Sequence, residues 1–291
     1  MKRLALPLAI AAILLPELAG AFSVSPAVIE LSGNRGTSVT SQVVVKNTAA
    51  VAQTYYLQTI KFAARENSGS PMFISPQVDR SGLPQWIALS KTRVTVQAQS
   101  QATVPFTVAV PTDVASGSYE AAIVISTTPF TTNDTSIQAH TAVLVLFTVN
   151  GETNAKLALL DFGPAGKNGA SGSASGTFQY RVQNQGNVFV TPTGTVTVKD
   201  AFGRVLAEAD ANPDGGRVLP GMTRTYEGSF QSDLFAFGPA TAVLNLTYAD
   251  DAPALVSSYS FWVLPMIPLA VLGIVLVGIC LAVIAVRRSK R

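Results

Sequence analysis

Residues 102–110 read ATVPFTVAV, and this stretch decides the fold. Ala102, Val104, Phe106, Val108 and Val110 fall on one side of an extended chain, and Thr103, Pro105, Thr107 and Ala109 on the other. A period of two is the pattern of a half-buried strand; a helical period of 3.6 would mix the two sets. Pro105 has no N–H for a ladder bond, which points to an edge position. Outward from here, residues 24–31, 39–47, 55–62, 93–97, 119–126 and 141–149 carry similar short runs. Gly33-Asn34, Asn67-Ser68-Gly69 and Ser81-Gly82 supply turns between them. The plan repeats at 157–162, 177–184, 193–200, 205–210, 222–230, 240–248 and 255–263. Val45-Lys46-Asn47 and Val182-Gln183-Asn184 both end a run on Asn before a loop, an internal echo that points to duplication. The expectation is an all-β chain of two tandem immunoglobulin-like β-sandwiches, residues 22–151 and 152–262. The Gly-, Ser- and Ala-rich residues 163–176 read as a long loop inside the second.

The two ends read differently. Lys2 and Arg3 precede an apolar stretch over residues 4–15, then Pro16 and Ala19-Gly20-Ala21, the pattern of a secretory signal over 1–21. No charged residue occurs between Asp251 and Arg287, and 13 of the 20 residues 267–286 are Leu, Ile or Val. That predicts a transmembrane helix at 263–286 with a basic cytoplasmic tail at 287–291. The implied protein is single-pass in the cell membrane, with its N-terminal domains extracytoplasmic and its C-terminus cytoplasmic.

Charged residues make up only 13 % of the 291 and hydrophobic ones 48 %, which excludes a long disordered chain. Residues 22–262 hold 14 basic and 16 acidic side chains, a net of −2, so nucleic acid has no electrostatic footprint here. One cysteine, Cys280, excludes a disulfide framework, and one histidine, His140, excludes a multi-histidine metal site. No G-x-S-x-G, S-x-x-K, H-E-x-x-H or phosphate-loop pattern occurs, so no enzyme and no cofactor is expected. Asp210, Asn212 and Asp214 sit at alternate positions before Gly215, as a calcium loop begins. The twelfth position is Gly221 rather than Glu, so they are weak metal candidates, and Asn, Pro, Asp and Gly also suit a plain turn.

Phe22-Ser-Val-Ser-Pro26, Val43-Val-Val-Lys-Asn47, Trp86 before a strand and Pro111 ahead of Gly117-Ser-Tyr119 resemble the first domain of the WxL-interacting proteins of bacterial cell surfaces. Asn184-Gln-Gly186-Asn187 and Leu219-Pro-Gly221 are similar to segments of envelope Ig-like domains. The resemblance implies a membrane-anchored envelope adhesion protein, its first domain toward peptidoglycan and its second toward another surface protein. The first domain also resembles pilus-chaperone-type sandwiches, which present an exposed edge strand with paired basic anchors; that is the alternative reading.

Residues 141–149 are apolar on both faces, with Val143, Val145, Phe147 and Val149 on one and Ala142, Leu144 and Leu146 on the other. A strand with one solvated face alternates. Leu144 and Leu146 are therefore the candidate binding residues, covered either by the second domain or by an outside partner.

Overall fold

The computed structural model describes residues 22–130, 141–166, 174–234, 236–264 and 266–289. The expected signal at 1–21 and His140 lie outside these residues.

The first half folds into two facing sheets. One holds β1 (Phe22–Ser25), β3 (Ser38–Asn47), β8 (Gln101–Ala109) and β6 (Ile87–Leu89) in that order. The other holds β2 (Val28–Gly33), β10 (Thr141–Val149), β9 (Gly117–Ser126), β4 (Gln53–Ala64) and β5 (Pro71–Ile74), with β7 (Arg93–Val96) also on β4. One helical turn, α1 (Leu83–Trp86), links the sheets. All pairs are antiparallel except β2 with β10. Val43, Val45, Val104, Phe106, Val108, Ile123 and Phe147 form the core between the sheets.

Two sequence expectations need local correction. Residues 24–31 do not make one strand: the ladder stops at Pro26, which has no N–H to continue it, and the chain crosses from one sheet into the other. Pro105 is not on an edge strand, because β8 lies between β3 and β6. β6 pairs only with residues 106–108, so Pro105 faces the end of that short strand, where its carbonyl accepts from Ser90 N–H.

The second half builds a three-stranded sheet of β11 (Leu157–Pro164), β12 (Gly176–Asn184) and β15 (Thr223–Phe230). Facing it are β14 (Val205–Asp210), β13 (Thr193–Asp200), β16 (Gly238–Thr247) and β17 (Leu255–Val263), in that order. Phe178, Tyr180, Val182, Val196, Val198, Leu244 and Leu246 fill this core. The pairings β11–β12, β12–β15, β13–β16 and β16–β17 repeat β1–β3, β3–β8, β4–β9 and β9–β10. The repeat reaches single atoms. Asn47, fully buried, donates Nδ2 to Val51 O, Val96 O and Gln97 O and accepts Ala49 N–H on Oδ1. Asn184, also fully buried, donates to Val188 O and Val218 O and accepts Gly186 N–H. Each amide closes the loop after its strand; Asn47 ties it to β7 of the opposite sheet, and Asn184 ties it to the turn at Val218 ahead of β15.

The chain continues from β17 into α2 (Met266–Ser289), 24 residues long, whose described large apolar side chains, such as Ile274 and Leu281, are exposed. Among the described residues no helix is long and apolar enough to cross a membrane, and the transmembrane helix expected at 263–286 is corrected accordingly. Val263 belongs to the last strand rather than to a helix. What stands of the expected fold class is its all-β part.

Asn47→Ala and Asn184→Ala should each cost about 3 kcal/mol, because each leaves buried carbonyls and an N–H without a partner. Urea unfolding of the two variants checks this; a loss under about 1 kcal/mol for either would remove the amide from its structural role.

Candidate functional site in the cleft between the sandwiches

The outer face of the β2–β10–β9–β4 sheet turns toward the second half. Leu146 lies opposite Glu30 on one side and Glu120 on the other, so the three form one row across the sheet. Ile60, Phe62, Ala122, Val124 and Leu146 are buried in a cluster with Leu219, and Phe189 and Met222 pack against it. Leu146 is 4 % exposed and Leu144 half-buried. The second sandwich thus covers the apolar second face of β10.

Backbone and side-chain bonds hold the two halves in this arrangement. Ser118 N–H donates to Asn187 O at 2.8 Å, and Phe189 N–H to Ser118 Oγ at 3.1 Å. On the far side, the tip of the β4–β5 hairpin joins the edge of β15. Asn67 N–H donates to Thr223 O at 3.3 Å, and Asn67 O accepts Thr225 N–H at 2.6 Å. The side chain of Arg224 passes beside Gly69 and Gly216, where an added Cβ would come within 2.6 Å of it. A side chain at either position would require Arg224 to shift, and Gly69 also has a positive φ of 65°.

Between the sandwiches remains a cavity of about 140 Å³, with Val28, Phe62, Leu144 and Leu146 on one side and Arg217 and Arg224 on the other. Arg217 is ion-paired with Glu30. Arg224 donates Nη1 to Arg217 O at 2.9 Å, and its guanidinium stands 5.0 Å from the centre of the Tyr226 ring. The Nε atoms of both arginines are buried and make no hydrogen bond within the protein. A guanidinium offers a fork of donors matched to a carboxylate. Two such groups above an apolar floor suit an anion carried on an apolar group. The β2 strand beside the cavity has β10 on one side and, among the described residues, no strand on the other.

Charge on the same sheet is tuned by burial. Desolvation raises the pKa of Glu120, and the nearby Lys61 acts in the opposite direction. The ammonium of Lys61 lies 2.6 Å from Asp79 and, by its hydrogen bond, holds that carboxyl well below the usual range.

Leu144 and Leu146, singled out from sequence, both line the cleft. The three candidate metal residues separate. Asn212 is buried, donating Nδ2 to Pro192 O and Gly216 O and accepting Gly216 N–H. Asp210 accepts Asn212 N–H, and Asp214 lines the cleft. Among the described residues no group of three or more His, Cys, Asp or Glu is placed to hold a metal. Arg217, Arg224 and Asn67 were missed, since single polar residues in turns and on an outward strand face read as solvated.

No family model matches the chain, and no curated protein matches it. Solved structures of similar architecture include the class 5 fimbriae chaperone CfaA, at 12 % identity and TM-score 0.42, covering 82 % of this chain and 98 % of that one. The Pseudomonas aeruginosa chaperone CupB2 is similar at 11 % identity and TM-score 0.37, covering 83 % and 100 %. The E. coli chaperone DraB is similar at 9 % and 0.40, covering 84 % and 97 %. The likeness is one of architecture only. The expected membrane-anchored, single-pass adhesion protein facing peptidoglycan is corrected: among the described residues no helix is long and apolar enough to supply the span.

Glu120 carries a pH prediction. Because its pKa is raised in the folded state, the folded protein keeps this proton to higher pH than the unfolded chain does. The stability it supports is present below the ordinary carboxylate pKa of about 4.3 and is lost as pH rises through the raised value. Glu120→Gln should therefore be more stable than the parent at pH 7 and match it at about pH 4, by urea midpoints. A pH-independent offset would contradict the assignment.

Proposed function

We propose that this chain is a non-enzymatic polypeptide-binding protein of the chaperone type, which holds an extended segment of another protein at the cleft. The observation that carries this reading is the pair of arginines, Arg217 and Arg224, with buried and unbonded Nε atoms above the apolar side chains of Leu144 and Leu146. A terminal carboxylate fits the guanidinium groups, and the apolar residue bearing it fits the floor. The unpaired edge of β2 supports the same reading, since an extended segment adds to a sheet edge through main-chain bonds and takes its specificity from adjoining pockets. The solved chaperones that this architecture resembles include one described in complex with a tip adhesin, a protein partner.

The test uses ten-residue peptides of alternating Val and Ser ending in Phe, with either a free carboxylate or an amide. A charge-assisted bond contributes about 1.5–3 kcal/mol, so the free acid should bind at least about tenfold more tightly by calorimetric titration. Arg224→Gln should abolish the difference. Equal affinity of acid and amide for the parent protein would overturn the reading.

A further inference from the structure

The repeat between the two sandwiches leaves one position unmatched. In the first, β10 has a neighbour on each side, antiparallel β9 and parallel β2. In the second, β17 is the strand that corresponds to β10, and among the described residues it pairs only with β16. Among the described residues, no strand of the second half stands where β2 stands in the first. The first sandwich splits its opening strand at Pro26 and sends β2 across, whereas β11 stays on β12 along its whole length.

The two edges align residue by residue. Val149 pairs with Gly117 at the start of β9, and Val263 with Gly238 at the start of β16. From that anchor Phe261 corresponds to Phe147 and Tyr259 to Val145. Val145 and Phe147, which lie opposite Ile29 and Leu31 of β2, are 0 % exposed. Tyr259 and Phe261 are only half-buried, although they lean on the same kind of core. The inward side chains of β17 are thus incompletely covered at the place where the first sandwich covers them with a strand. The outward positions differ as well. Leu144 and Leu146 face a covering domain, whereas their counterparts Ser258 and Ser260 are exposed, with Val256 and Trp262 also exposed on the same face.

We propose that the edge of β17 over residues 258–263 accepts a β-strand from another polypeptide, running parallel to β17. The occupant has the chemistry of β2: an extended segment with large aliphatic residues at alternate positions, beside Tyr259 and Phe261, and a small residue beside Val263. Gly33 holds that last position in the first sandwich, where an added Cβ would lie 3.0 Å from the Phe147 ring. This acceptor is separate from the cleft and does not depend on the function proposed for it.

The probe is a synthetic peptide copying residues 27–35, AVIELSGNR, added to the full-length protein while amide hydrogen exchange is followed. At peptide tenfold above its Kd, exchange of amides in residues 258–263 slows about tenfold, since opening then requires release. A nitroxide on the peptide N-terminus broadens signals near Ser258 rather than near Val263. The same peptide carrying Ile29→Ser and Leu31→Ser gives no slowing. Absence of slowing in 258–263, slowing confined to residues 144–149, equal effect of the substituted peptide, or broadening near Val263 would each overturn the proposal. So would protection of β17 that depends on protein concentration without peptide, which would mark a second copy as the occupant.

Discussion

The molecule is organised around the second apolar face of β10. A strand whose neighbours bury it on one side is satisfied by a single sandwich; Leu146, with Ile60, Phe62, Ala122 and Val124 beside it, leaves a further apolar surface that water would meet. Burying each large aliphatic side chain contributes about 1.5–3 kcal/mol, so the surface is covered rather than solvated. Its cover is the Leu219 turn with Phe189 and Met222, and the order of the two sandwiches follows from that contact. Everything at the cleft depends on it. Arg217 reaches Glu30 and Arg224 passes Gly69 only because the two halves stand where this face puts them.

The same strand plan recurs in both sandwiches, and departures from it mark the specialised parts. Asn47 and Asn184 close equivalent loops with equivalent bonds, which a packing device retained in both copies would do. The same register turns Leu144 and Leu146 of the first copy into Ser258 and Ser260 of the second, and the face they occupy changes from covered to solvated. The first sandwich splits its opening strand at Pro26 and has β2 beside β10; among the described residues β17 has a strand on one side only.

Most of the strand pattern was legible in the sequence because alternation reports burial directly, as in Val104, Phe106 and Val108, all at most 1 % exposed. The doubled apolar character of residues 141–149 also pointed to the cleft. The strand break at Pro26 was less legible, since Val24 and Val28 keep the alternation on either side of it. The cleft arginines were not legible at all: a lone Arg on an outward strand position looks the same whether it meets solvent or the turn of another domain. The span expected from hydropathy was read from composition over a whole stretch, whereas the structure assigns Val263 to a strand and gives no described helix that suffices to cross a membrane.

The central claim is that the face of β10 and the Leu219 turn stabilise each other across the cleft. A double-mutant cycle tests it directly, with Leu146→Ala, Leu219→Ala and the double variant unfolded in urea. The account predicts a coupling of about 1 kcal/mol or more between the two positions, as for side chains in contact. Losses that add to within about 0.3 kcal/mol, as for distant independent sites, would contradict it.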